Sequence, residues 1–181
     1  MSLNLWGQNK VKIYFLALLI CIYPGTIFAI LGKATCSLSV QNLDFGTINP
    51  FDYTPETGNI TISVTCRNDG GILGDLGDII IIGQAIVNYT LTFSTGSSGS
   101  FSNRLLVLNP TSKMSYNIYK DTAYTQALGN GLSSSYTLTK NYVLNPKQSQ
   151  TDTFIIYGKI PVQPFISAGT FTDDITVTLT Y

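Results

Sequence analysis

Apolar and polar residues alternate without a break in Val87-Asn88-Tyr89-Thr90-Leu91-Thr92-Phe93 and again in Ile175-Thr176-Val177-Thr178-Leu179-Thr180-Tyr181. Successive side chains of a strand point to opposite faces, so each run predicts a strand with one buried and one wet face. Cys36-Ser37-Leu38-Ser39-Val40 and Ile60-Thr61-Ile62-Ser63-Val64-Thr65-Cys66 alternate in the same sense, with the apolar residues at even positions. Shorter candidates lie at residues 104–108, 114–119, 136–139 and 153–160, separated by turn-rich stretches such as 95–100 and 129–135. No amphipathic helical periodicity follows the first thirty residues, and no internal repeat is evident. Short strands at this spacing predict an all-β fold, a two-sheet immunoglobulin-like sandwich.

The beginning of the chain follows a different pattern. Lys10 and Lys12 precede an apolar stretch over residues 13–23, then Pro24, Gly25 and Thr26-Ile27-Phe28-Ala29. A basic region, an apolar core and a small residue in that order predict a secretory signal peptide over residues 1–29, with the domain over residues 30–181. Cleavage after Ala34, with Gly32 at minus three, is an alternative site, and an uncleaved anchor over residues 11–31 is an alternative reading. Ile20 before Cys21 disfavours a lipid attachment site. Removal of the leader leaves Cys36 and Cys66 as the only cysteines, and an even pair in an exported protein predicts a disulfide. Both cysteines sit at the core-facing parity of their strands.

Composition narrows the chemistry. Of 181 residues, 11% are charged, the formal net charge is zero and 44% are apolar, which excludes a nucleic-acid surface and a disordered chain. Histidine is absent, removing the commonest general base and metal ligand. No Gly-x-Ser-x-Gly elbow, Ser-x-x-Lys pair or phosphate loop occurs, so we expect no enzyme, no cofactor and no metal. The acids Asp75, Asp78, Asp173 and Asp174 lack the spacing of a calcium loop and read as a solvated loop and a turn leading into a strand. The Gly-studded segment 70–83 carries Ile79-Ile80-Ile81-Ile82, expected in the core or at the start of the following strand, with an apolar partner patch as the alternative. The final alternating run is expected to form a sheet edge that invites a strand from another chain.

Several elements fall in one order: a cysteine followed by Leu43-Asp44-Phe45-Gly46, then Gly58 to Cys66, Tyr89 to Gly96, and Arg104. They continue with Tyr116-Asn117-Ile118-Tyr119-Lys120-Asp121, Gly129-Asn130-Gly131, Tyr157-Gly158-Lys159-Ile160-Pro161 and Gly169-Thr170-Phe171-Thr172-Asp173-Asp174-Ile175-Thr176-Val177. Together these resemble the spore coat protein U domain of archaic chaperone-usher pilus subunits. The resemblance implies an incomplete immunoglobulin-like sandwich lacking its last strand, with Ile175, Val177, Leu179 and Tyr181 bordering or supporting a donor-strand groove. It also implies export to the periplasm and then the cell surface, and a role in attachment and biofilm formation. The implied partners are a periplasmic pilus chaperone, an outer-membrane usher and other pilus subunits. Ala127-Leu128 stand where relatives often carry an aromatic residue, a local difference in packing.

A polymerising subunit of this family carries a donor segment of a dozen or more residues before its first cysteine. Here cleavage after Ala29 leaves Ile30-Leu31-Gly32-Lys33-Ala34-Thr35, about 20 Å when fully extended and shorter than a complementing strand. This departure points to a tip or terminating subunit, or to a surface protein that uses the domain without long polymerisation. The alternative from another class is a self-complete secreted domain that binds carbohydrate through tyrosines such as Tyr119, Tyr124 and Tyr142. N-terminal sequencing of the exported protein is expected to begin at Ile30, whereas a start among residues 21–25 would restore a donor-length segment.

Overall fold

The computed structural model describes residues 32–49, 51, 53–70, 83–163 and 167–181. The leader, Cys21, Asp75, Asp78 and the Ile79 to Ile82 run lie outside them. Among the described residues eight strands follow one another: β1 Ala34–Val40, β2 Glu56–Asn68, β3 Ala85–Phe93, β4 Arg104–Asn109, β5 Ser112–Tyr119, β6 Leu138–Leu144, β7 Ser149–Ile160 and β8 Val177–Thr180. They form two sheets, one of five strands ordered β1-β2-β7-β5-β4 and one of three ordered β6-β3-β8, with every named strand pair antiparallel. The helical content of the described residues is a single 3-10 turn, Gly96–Ser98. The chain is therefore the all-β, immunoglobulin-like sandwich that the alternation predicts.

The core lies between the sheets. Ile62 and Val64 of β2, Val87 and Leu91 of β3, Met114 and Ile118 of β5, and Ile156 and Ile160 of β7 fill it, each at the inward parity of its strand. Strands β7 and β6 depart from the predicted limits for legible reasons. The β7 strand begins at Ser149, four residues before 153, because its inward positions there carry Gln150 and Asp152, which no hydrophobic pattern marks. Pairing with Thr65, Cys66 and Arg67 of β2 holds this stretch. The β6 strand starts at Leu138 and runs through Lys140 and Asn141 to Leu144, while Tyr136 instead forms a parallel bridge with Leu128.

The five-stranded sheet outreaches its partner, and a connecting segment covers part of its inner face. Gly58 of β2 and Gly158 of β7 stand opposite each other. Leu43 and Phe45 lie over this pair: a Cβ on Gly158 would fall 2.5 Å from Leu43 Cδ2 and 2.7 Å from Phe45 Cζ, and one on Gly58 would fall 3.2 Å from the Asp44 carbonyl oxygen. Phe45 also meets Tyr116 edge to face at 6.1 Å. Asp44 shapes the bend, its Oδ1 accepting the Gly46 amide at 2.8 Å while Gly46 sits at φ 72°. Leu43-Asp44-Phe45-Gly46, Gly58 and Gly158 are thus one packing unit, with two apolar side chains filling the space that two missing Cβ atoms leave.

Gly158→Ala is expected to destabilise the domain by about 1–3 kcal/mol through overpacking. Urea denaturation of Gly158→Ala, Phe45→Leu and the double variant checks this. The shorter side chain at residue 45 should make the double variant less unstable than the two single costs combined.

Candidate functional site

Cys36 and Cys66 are direct partners in the β1–β2 ladder and are joined as a disulfide. Cys66 is fully buried and Cys36 half-buried against the core. The bond matters because β1 is an edge strand, with β2 as its one neighbour among the described residues. At the start of β1, Thr35 Oγ1 donates to Asp69, the Gly32 amide donates to the Gln84 carbonyl at 3.1 Å, and Asp69 N donates to the Lys33 carbonyl at 2.9 Å. Asn68, wholly buried at the end of β2, donates through Nδ2 to the carbonyls of Gly83 and Leu144, both at 3.0 Å. One end of the sandwich is in this way closed by backbone and amide hydrogen bonds.

The edges of the three-stranded sheet differ. On the β6 side, residues 127–129 strap the sheets together: Leu128 N donates to Ile118 O of β5 at 2.9 Å, and Phe93 N of β3 donates to Gly129 O at 3.1 Å. Leu128 itself is fully buried, so an aliphatic side chain fills the place where an aromatic residue was the expected pattern. On the other side stands β8. It pairs with β3 through Thr180–Thr90, Leu179–Leu91, Thr178–Thr92 and Val177–Phe93, and among the described residues no strand pairs with its outer edge.

Burial follows that asymmetry. The inward residues of β3 are sealed, Leu91 at 0% and Phe93 at 3% exposed. Their neighbours Val177 and Leu179, and Ile175 before them, are only half-buried although they pack on the same core. Tyr181, at the end of the run, is 57% exposed. The four residues expected at the groove thus share one parity along the chain, three of them half-buried and Tyr181 exposed. Pairing with β8 covers β3 as far as Thr90, and Gly32 meets Gln84 on the same side. The backbone of Ile86 and Asn88 lies between these two contacts.

The lead-in to β8 is polar and heavily bonded. The Gln163 side chain grips Ser115 like a neighbouring strand, accepting its amide at 2.6 Å and donating to its carbonyl at 2.8 Å. Thr172 and Val107 exchange two backbone hydrogen bonds at 2.8 and 3.1 Å. Asp173 accepts from Ser97 N, Ser97 Oγ and Tyr116 Oη, each at 2.7 Å. Ser94 then donates its amide to Thr176 O and accepts the Thr176 amide on its hydroxyl, both at 2.9 Å. The guanidinium of Arg104, fully buried, donates to Ser94 O at 2.7 and 3.2 Å, Leu128 O at 2.8 Å and Asn117 Oδ1 at 2.6 Å, and stands over the Phe101 ring at 5.6 Å. Burial lowers its pKa, Tyr116 and Asp173 working the other way, and it remains a cation. Burial, helped by the bond to Asp173, pushes the Tyr116 hydroxyl well above the usual tyrosine range.

Sequence reading assigned no role to this network. Asp173 enters there only as part of a turn leading into a strand, and Arg104 as one element of a family pattern. The one local signal is an arginine at the core-facing parity of a strand, since Arg104 shares its face with Tyr116. The tyrosines named for a carbohydrate platform do not converge. Tyr119 meets Tyr124 at 5.5 Å on the β5 side, with Lys159 Nζ 4.9 Å from the Tyr124 ring, whereas Tyr142 lies on β6 of the other sheet and meets Tyr89 at 6.5 Å. Tyr89 donates to buried Asp152 at 2.7 Å. The Tyr142 hydroxyl is buried without a hydrogen bond, and burial together with the Asp152 charge pushes it up to about 12. Asn59 and Asn88, in glycosylation-type triplets, both lie within strands. Among the described residues no three acids or cysteines gather where they could hold a metal ion.

An immunoglobulin-like sandwich with one disulfide, a strapped side and a bare edge strand defines the class. The chain belongs to the Spore Coat Protein U domain family, which matches residues 29–178. Among solved structures it is similar to a chain of the CsuC-CsuE chaperone-tip adhesion subunit pre-assembly complex from archaic chaperone-usher Csu pili of Acinetobacter baumannii. That match has 17% identity over 82% of this chain and 40% of the other, with a TM-score of 0.46. A second similarity is to a chain of a chaperone-tip adhesin complex of CFA/I fimbriae biogenesis, with 12% identity over 80% of this chain and 42% of the other and a TM-score of 0.43. This chain thus spans less than half the length of either. No curated protein matches the sequence.

Replacing both Cys36 and Cys66 by Ser is expected to lower stability by roughly 3–4 kcal/mol, as loop-closure entropy gives for a crosslink of this sequence separation. Urea unfolding of the oxidised protein against the double variant measures it.

Proposed function

We propose that this protein is a structural subunit of an archaic chaperone-usher pilus, assembled by donor-strand complementation and serving surface attachment and biofilm formation. The observation that carries this reading is the β8 edge: inward Val177 and Leu179 are half-buried while the β3 residues beside them are sealed, and β8 has one neighbour among the described residues. A half-buried apolar row beside an unpaired backbone edge suits an extended peptide with alternating apolar side chains. Its main chain would pair with β8 and its side chains would cover Ile175, Val177 and Leu179, with Tyr181 at the rim. A periplasmic chaperone would supply that strand first, and a neighbouring subunit would replace it after passage through an outer-membrane usher. No step of this role calls for catalysis.

Within such a fibre the subunit sits at the tip or the terminus. Cleavage after Ala29 would leave only residues 30–33 ahead of β1, which starts at Ala34. Gly32 is moreover bonded to Gln84 of its own domain, and a Cβ there would fall 2.5 Å from the Asn68 side chain. A segment so short and so tied can lend no full strand to a neighbour.

Production in a heterologous periplasm, with and without a cognate pilus chaperone, tests the reading. The expected outcome is a soluble one-to-one complex with the chaperone and loss of soluble protein without it. A stable, soluble monomer produced alone would overturn it.

A further inference from the structure

We propose that Asp173 is a positioning residue: it holds the uncovered strand β8 in register on β3, so that its apolar row faces the core before any partner strand arrives. Four residue pairs on one side are a weak hold for a strand, and a slip of one residue would turn Val177 and Leu179 outward and Thr178 and Thr180 inward. Something outside the ladder must therefore fix the register. Asp173 lies four residues before Val177 and accepts three hydrogen bonds at 2.7 Å, charge-assisted and satisfied from two directions. Ser97 comes from the turn that follows β3, and Tyr116 comes from β5 of the opposite sheet.

The surroundings are shaped to this carboxylate. Gly96, at φ 63°, leaves the space that the Asp173 carboxylate occupies, and a Cβ there would overlap all three of its terminal atoms. Arg104 holds the other end of the same short segment through the Ser94 carbonyl, and Ser94 is the residue that exchanges two hydrogen bonds with Thr176. The path from Arg104 through Ser94 to Thr176, and from Ser97 and Tyr116 to Asp173, clamps the chain at two points just before β8. Neighbouring Asp174 is exposed. One acid of the pair is the anchor and the other is solvated.

The ligand class served is an extended peptide strand with alternating apolar side chains, so the functional consequence rests on the reading proposed above, but the register device itself does not. Hydrogen exchange by mass spectrometry on the mature chain tests it, with every variant in the same partner state. Asp173→Ala is expected to speed exchange of the Thr178 and Thr180 amides, which face β3 in the ladder, by about tenfold or more, the scale set by losing hydrogen bonds to a charged group. Protection in the centres of β2 and β7 should stay at its wild-type level. Asp173→Asn, whose amide oxygen can still accept from Ser97, should fall between, and Asp174→Asn should match the wild type. Unchanged β8 exchange in Asp173→Ala, or an equal rise across β2, β7 and β8, would overturn the proposal. Should Asp173→Ala not fold, Asp173→Asn and Tyr116→Phe carry the same comparison. Exchange reads β8 directly, so a chaperone-independent monomer would defeat the pilus reading and leave this result standing, and the converse also holds.

Discussion

Two sheets of unequal width share one hydrophobic core, and much else in the molecule answers that mismatch. Five strands present a broad apolar face, and three strands cover only part of it. The chain meets the mismatch differently at each place. Over Gly58 and Gly158 it lays Leu43 and Phe45 directly on the wide sheet. Beside β6 it straps the sheets with residues 127–129. Beside β8 it adds nothing among the described residues, and the inward side chains there keep part of their surface in contact with solvent. Exposed apolar surface next to an unpaired edge is costly in a lone domain, and it is a ready means of recognition for an extended strand.

Polar chemistry supports the weak side. A buried arginine is tolerated because its donors meet the carbonyls of Ser94 and Leu128 and the Asn117 amide oxygen, a neutral cage that needs no buried carboxylate pair. Asp173 satisfies a tyrosine hydroxyl that would otherwise be buried and unpaired. The same bonds that repair buried polar groups also fix the chain just before β8. At the opposite end Asn68 does comparable work for the approach to β3 and the turn into β7. Covalent reinforcement falls on β1, the edge strand of the wide sheet, through Cys36 and Cys66. Both strands with a single neighbour near the chain ends therefore carry an extra restraint, one by a disulfide and the other by a carboxylate.

Much of this was legible in the linear chain. Alternation located β3, β8 and the centre of β2, because a half-buried strand must repeat with a period of two. The parity of Cys36 and Cys66 foretold their bond, since both fell on the inward side of their strands. The resemblance tied Leu43-Asp44-Phe45-Gly46, Gly58 and Gly158 into one family pattern, although not into one contact. Where the period was masked, the reading fell short. Gln150 and Asp152 hid the start of β7, and Lys140 and Asn141 hid most of β6, because polar residues at a sheet margin are held by pairing and hydrogen bonds that leave no hydrophobic trace.

The sequence by itself determined the all-β class, the disulfide and the line of apolar side chains from Ile175 toward Tyr181, all consequences of short-range periodicity and residue chemistry. Only the tertiary structure decided which segment straps the other side of the small sheet, which glycines make room for which side chains, and which acid of Asp173-Asp174 is the anchor. Those depend on residues brought together from distant parts of the chain: Ser97 and Tyr116 on Asp173, Leu43 on Gly158, Ser94 on Arg104. A local pattern states which face of a strand is apolar, but it carries no information about what the rest of the chain places against it.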